Sequence, residues 1–494
     1  MKSVKVLGAF IGDDLDCSER LVARVRKQLA PLEQMIKLRD TAEIKVAMQV
    51  QLEINRYCAN TQLIYFLRTM PLAATWAAAR CHDQLIWQAA EAVVGMQQAT
   101  RAERARAKAQ ARLPVKLGGL GLTAMATIAR AARIGTWALC WRPMRTLLPR
   151  VFGEVDVATA MMPSFVELRA SHEGMAEMWR RTEGVYKAFD TKVFDYNREG
   201  EAEYQFHPAF LPMRHELVDV AEFASESDHL KNAQRTWSRI AHHSAWLHEA
   251  SRLRQVSARE VVRFVSVSQP HAGDFLNAVP KRAVFRINTW AMRIAVQRRL
   301  GLPLTAAEVG SSRGRSRHGH VFDVMGDLAT NDGKAGWQAR HHSLLEELVR
   351  VLRGVWGARV DYEPADYRDY SDTRPDLTIE GAGADGGKYV GDTKCFDSVG
   401  SDPARVDARG GHVAFGNTQP HANEVTVGRA ERGEEGRQFN PRTGLGHVAR
   451  VKGAYDKTVL LGVEVAPLLF ETWGGWSPAV VDLLERAEGN RARA

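Results

Sequence analysis

The stretch RPDLTIEGAGADGGKYVGDTKCF, residues 374–396, holds two aspartates and a lysine whose types and spacing suit phosphodiester hydrolysis. It reads as two short strands, 376–381 and 388–396, around a glycine-rich turn centred near Ala384–Asp385. Antiparallel pairing about that turn sets Asp376 beside Asp392 and Thr393, with opposed Cβ atoms ~5 Å apart. Asp392 and Lys394, two positions apart on one strand, point to the same face. Carboxylates that close repel unless positive charge lies between them, and hard oxygen donors suit Mg²⁺ or Mn²⁺. The expected catalytic residues are therefore Asp376, Asp392 and Lys394. The two carboxylates, with the carbonyl of Thr393, would hold the metal. Lys394 would orient the attacking water or neutralise the developing charge. The competing reading is an ordinary surface hairpin. Either Glu346 or Glu347, on the preceding helical segment, is a candidate third carboxylate, and Arg340 and His341 there suit phosphate binding or a local structural role.

The elements needed to position these groups are mostly helical up to about residue 300. Asp16 with Glu19, and Asp40 with Glu43, have the spacing of helix-opening pairs. Leu21, Val25, Leu29, Leu32 and Ile36 recur at helical spacing. A long helix is expected over 73–95 and an alanine-rich one over RAERARAKAQAR. The run LPVKLGGLGL at 113–122 breaks the pattern before another helix. The GDD at 12–14 reads as a strand end and helix start, because no second acidic motif precedes it. Further on, an amphipathic helix is expected over 339–353, and TVLLGVEVAPLLFETW reads as a buried strand followed by a helix. The segment 398–450 has seven Arg against six acids and few apolar residues, so it reads as a flexible, mixed-charge insertion.

Charge is unevenly spread. The 494 residues carry a formal net charge of +9. Residues 1–150 alone hold 23 Lys/Arg and 11 Asp/Glu, a balance of +12 that leaves about −3 for the rest. Over 101–150 there are 11 basic residues and one acid. A basic balance confined to one region points to a polyanionic partner, and Arg101, Arg104, Arg106, Lys108, Arg112 and Lys116 are its candidate contacts. The five cysteines are scattered without a Cys-x-x-Cys pair, which argues against both a disulfide scaffold and a thiolate zinc site. No uncharged apolar run reaches the ~18–20 residues of a membrane span, and neither a secretory signal nor a phosphate-binding glycine loop is legible. An intracellular location is expected, the nucleus in a eukaryotic cell.

Several stretches resemble one family in their order along the chain. KVLGAFIG, YFLRTMPL and ARLPVKLGGLGLTAMATIARAA are similar to the end of the palm and the thumb of a non-LTR retrotransposon reverse transcriptase. AVPKRAVFRINTWAMRIAVQRRLGLPL resembles the segment leading to that family's zinc knuckle. RHHSLLEEL and RPDL…GDTK resemble its restriction-like endonuclease, a member of the PD-(D/E)xK class. The resemblance implies an α+β chain with a basic, helical, thumb-like region over 1–150 and a mostly helical linker over 151–300. A knuckle-like segment over 301–338 and a small α/β nuclease domain with a central mixed sheet over 339–494 would follow. It implies DNA, or an RNA–DNA duplex, as partner, with no membrane and no small-molecule cofactor. The polymerase aspartates would lie upstream of residue 1, so polymerisation is not expected. The knuckle's ligand positions match Val309, Ser312, Leu328 and Asp332, so no zinc is expected there. The alternative is a nucleic-acid-binding remnant that has lost catalysis.

Overall fold

In a computed structural model, the structure describes residues 3–40, 48–193, 217, 223, 229–278, 286–305, 323–327, 330, 333–365, 367, 373–383, 386–397 and 454–493. The expected knuckle positions 309, 312, 328 and 332, the turn centre at 384–385 and the insertion 398–450 lie outside the described residues. The described fold is mostly helical with a small mixed sheet, an α+β arrangement. The chain divides into two compact units, one of residues 1–199, 205–255 and 275–302, the other of 200–204, 256–274 and 303–494. One division, between 302 and 303, lies close to the boundary expected at 300, and none lies near 150. Much of 151–300 shares a core with the preceding helix, and 256–274 joins the second unit instead.

The first unit opens with a hairpin. Strands β1 (Val4–Val6) and β2 (Ala9–Ile11) pair antiparallel across Leu7 and Gly8, both with positive φ. Helix α1 (Asp14–Asp40) follows, and Asp13 caps it by accepting from the backbone N–H groups of Leu15 and Asp16. The cap is thus Asp13 and not Asp16, whose carboxylate instead accepts from the N–H of Ser3 at 2.9 Å. Leu21, Val25, Leu29 and Leu32 are buried as their spacing requires.

The longer helices that follow in this unit are α2 (Leu72–Val94), α3 (Arg101–Ala111), α4 (Met125–Leu147), α5 (Pro163–Val193), α6 (His229–Val256) and α7 (Thr289–Arg299). Gly95, at φ 74°, ends α2 in the left-handed conformation that glycine adopts without penalty. Thr100 and Glu103 open α3 with a complete capping box. Two cores form. One joins α1, α2, α3 and α7, and the other joins Ile134 and Trp141 of α4 to Phe165 of α5 and Trp237 of α6.

The second unit carries the four-stranded sheet, in the order β3 (Val360–Tyr362), β4 (Leu377–Glu380), β5 (Lys388–Phe396) and β6 (Glu464–Glu471). The first three strands pair antiparallel, while β6 runs parallel to β5. Helix α8 (Gly333–Trp356) precedes the sheet, α9 (Asp456–Leu460) leads into β6, and α10 (Pro478–Arg493) ends the unit. Residues of TVLL therefore begin in a helix, and the strand expected of that run starts only at Glu464. Leu345, Leu348 and Leu352 of α8 pack with Leu377, Ile379, Tyr389, Leu468 and Leu483 in one core. Val390 of β5 packs separately with Tyr367, Tyr455 and Val465. Strand alternation accounts for this division: Tyr389 and Val390 are neighbours in sequence and face opposite sides of the sheet.

Candidate active site

The register of β4 on β5 pairs Leu377 with Gly391 and Glu380 with Lys388. One step outward it sets Asp376 opposite Asp392, as the spacing around the turn requires. The strand ends before Asp376, whose backbone carbonyl accepts from the N–H of Glu363 at 2.8 Å. The Asp376 carboxylate crosses to β5, where Oδ2 accepts from the backbone N–H of Thr393 at 2.6 Å.

Asp392 and Lys394 share a face of β5, and Lys394 Nζ lies 2.7 Å from Asp392 Oδ2. Their side chains differ in exposure, 14% for Asp392 against 44% for Lys394, so the ammonium reaches from solvent onto a largely buried carboxylate. Burial raises the Asp392 pKa above the usual aspartate range and the negative charge of Asp376 raises it further, while Lys394 and His341 oppose the shift. That the two carboxylates act on one another is the electrostatic condition for a shared cation.

The glycine before Asp392 has a packing reason. A Cβ on Gly391 would stand 2.9 Å from Leu468 Cδ1 and 3.0 Å from Leu377 Cδ1, so two core leucines close over this position. The GDT step of the motif thus presses its backbone into the core on one face and offers Asp392 on the other.

Two further side chains complete the site. The stripe Leu345, Leu348 and Leu352 turns the inner face of α8 toward the sheet, and His341, one turn before Leu345, lies on the same stripe. His341 Nε2 is 2.9 Å from the carbonyl oxygen of Thr393 and 3.2 Å from Asp376 Oδ2. The hydrogen bond to Asp376 is the main reason its pKa is raised. It neither caps α8 nor stands free for phosphate. Tyr455, fully buried just before α9, donates its hydroxyl to the carbonyl of Arg374 at 3.2 Å and is hydrogen-bonded to the Asp392 carboxylate. Burial and the charges of Asp392 and Asp376 hold that phenol well above its ordinary pKa. From the sequence, His341 suits phosphate binding or a local structural role, whereas nothing in the sequence around Tyr455 points to this site.

Arg340 donates to the carbonyl of Thr330 at 2.9 Å, a local structural bond, and also contacts the Cys395 thiol. Glu346 and Glu347 are each 64% exposed and belong to the outer face of α8. Glu346 lies 3.7 Å from His342 Nε2, and Glu347 pairs with Arg350 at 2.6 Å.

No protein-family model matches the chain, and none of the curated proteins does. The donor set must therefore be judged on its own chemistry. Among the described residues no group of three His, Cys, Asp or Glu side chains is arranged to hold a metal. The set at β4 and β5 is of another kind: two interacting carboxylates and the carbonyl of the residue between Asp392 and Lys394. All are hard oxygen donors, which fits Mg²⁺ or Mn²⁺ and not a soft, thiolate-preferring ion.

The basic residues of the first unit divide by helical phase. At ~100° per residue, Arg101, Arg104, Lys108 and Arg112 form one stripe at α3, and Arg106 lies on the other flank. Arg104 donates to the carbonyl of Ala99 and lies 3.8 Å from Glu91; Lys108 donates to Gln84 at 2.7 Å. Burial and then Arg112 push the Lys108 amine below its usual pKa. Lys116 is exposed, and partial burial of its amine, then Arg239 and Arg235 of α6, lower its pKa too. These arginines extend the basic surface beyond the residues expected from sequence. No described helix is long and apolar enough to cross a membrane.

Proposed function

We propose that this protein is a metal-dependent DNA endonuclease of retroelement origin, with a restriction-endonuclease-like second unit and a basic helical first unit that holds nucleic acid. The observation that carries this reading is the register of β4 on β5, which sets two carboxylates and a lysine together at one end of a mixed sheet. The ordered resemblance to the carboxy-terminal part of a non-LTR retrotransposon reverse transcriptase supports the same reading, and so does the flanking of that sheet by α8 and α10.

In the proposed chemistry, Asp376, Asp392 and the Thr393 carbonyl hold a divalent cation, which supplies positive charge at the phosphoryl oxygens and activates water. The Thr393 N–H fixes the Asp376 carboxylate, and Tyr455 fixes that of Asp392. Lys394, the most exposed of the three charged groups, orients the attacking water or neutralises charge on the phosphate. A second reading, a nucleic-acid-binding remnant without catalysis, draws on the internal partners of both carboxylates, His341 for Asp376 and Lys394 for Asp392.

Plasmid nicking distinguishes the two. The full chain should nick supercoiled DNA with Mg²⁺ or Mn²⁺ and not after chelation. Asp376→Ala and Asp392→Ala should each lower the rate by at least ~100-fold with DNA binding retained, since each removes a proposed cation donor. Lys394→Ala should slow nicking, and Lys394→Arg should not fully restore it, because a planar guanidinium differs in shape from a compact ammonium. A chain without metal-dependent nicking would leave the binding remnant as the better account.

A further inference from the structure

His341 is not used in the chemistry just described, yet it meets that site at two points. Its Nε2 is 2.9 Å from the carbonyl oxygen of Thr393 and 3.2 Å from Asp376 Oδ2. Both partners are acceptors, so this nitrogen carries a hydrogen and shares it between them. Those oxygens belong to two of the three groups proposed to hold the cation. Mg²⁺ binds oxygen at ~2.1 Å, closer than any hydrogen-bond donor. A cation bound to both oxygens from the side of the imidazole would overlap the ring N–H. The bond is also built in: Leu345 and Leu348 seat α8 on the sheet, and that seating aims position 341 at the end of β5.

We infer that the imidazole of His341 and the divalent cation compete for Asp376 and Thr393, so that His341 must swing out before the cation can bind. This inference rests on the endonuclease reading of the site. Its consequence is a chain that resists loading at low metal concentration, with a side chain of its own in place of an external inhibitor. The imidazole moves by side-chain rotation alone, because the backbone of α8 is held by its leucines. The competition is local to Asp376 Oδ2 and the Thr393 carbonyl; that same Oδ2 also accepts from the Thr393 N–H, which holds the carboxylate in place whichever of the two occupies it.

Calorimetric titration of Mn²⁺ into the full chain tests this without any nuclease assay. His341→Ala should bind Mn²⁺ about tenfold more tightly than the parent, because a hydrogen bond to a charged group no longer has to be broken. His341→Gln retains an N–H donor on a similar reach and should fall between the two, which also covers the case in which the alanine variant folds poorly. An affinity unchanged or weakened in both variants would overturn the inference and make His341 a support for Asp376. Asp392→Ala separates this failure from that of the wider reading. If Asp392→Ala abolishes binding while the His341 variants bind no tighter than the parent, only the competition is wrong. If Asp392→Ala leaves Mn²⁺ binding intact, or neither the parent nor the His341 variants bind any, both the competition and the endonuclease reading fall.

Discussion

At Asp392 opposing influences meet on one carboxyl. Burial and the charge of Asp376 favour its neutral form, and the opposing effects of Lys394 and His341 leave its pKa raised. A carboxyl whose folded pKa lies above its unfolded value of 3.8 favours folding only while it is protonated. That contribution is fully present below the unfolded pKa and is lost as pH rises through the folded one. Once pH is above the folded pKa, the ionised Asp392 therefore lowers stability. Asp392→Asn removes the charge and keeps an acceptor for Tyr455. Thermal melts should show the variant more stable than the parent at pH 7, with the gap closing as pH falls toward 4. A variant less stable at pH 7 would mean that the Lys394 contact outweighs desolvation.

At the scale of elements, the hairpin that bears the site depends on one missing side chain. Leu377 and Leu468 leave no room for a Cβ on Gly391, and both belong to the core beneath α8. Gly391→Ala should cost roughly 1–3 kcal/mol by overpacking and should weaken Mn²⁺ binding as Asp392 shifts with the strand. A chemical denaturation midpoint equal to the parent's would show that the leucines yield freely. Strand β5 was fully legible in the sequence, from Lys388 to Phe396, because a short glycine turn and alternating residue types bound it. The pairing of Asp376 with Asp392 was legible for the same reason. Less could be read where tertiary contacts decide. Strand β4 stops short of Asp376, which has turned its side chain to the Thr393 N–H. The run TVLL is too short for its apolar pattern to separate strand from helix, and its residues start in α9. Tyr455 meets Asp392 from a segment 63 positions away, a contact that no local pattern encodes.

Across the whole molecule, the uneven charge makes a claim that salt can test. The first 150 residues hold the +12 balance, while the proposed chemistry belongs to the second unit, so binding and cutting should respond to different substitutions. Each phosphate neutralised by a cation releases counterions, and log K falls with log salt at ~0.9 per contact for duplex DNA. Neutralising Arg101, Arg104, Lys108 and Arg112 to glutamine in the full chain should flatten that slope by up to ~3.6, since the four share one stripe at α3. Arg106→Gln, on the opposite flank, should leave the slope unchanged, well short of the ~0.9 that one lost contact would give. Lys116 with Arg235 and Arg239 forms a second group of like charges that lower one another's affinity for protons, and a phosphate among them would relieve that repulsion. Substituting these three should flatten the slope further and additively. Asp376→Ala should leave the slope as it is, because it removes no cation. Fluorescence anisotropy with a labelled duplex between 50 and 300 mM salt, roughly the range over which such contacts dominate affinity, reads all these slopes in one format. An unchanged slope in the quadruple variant would assign α3 to solvent and move the nucleic-acid surface to Lys116 and α6.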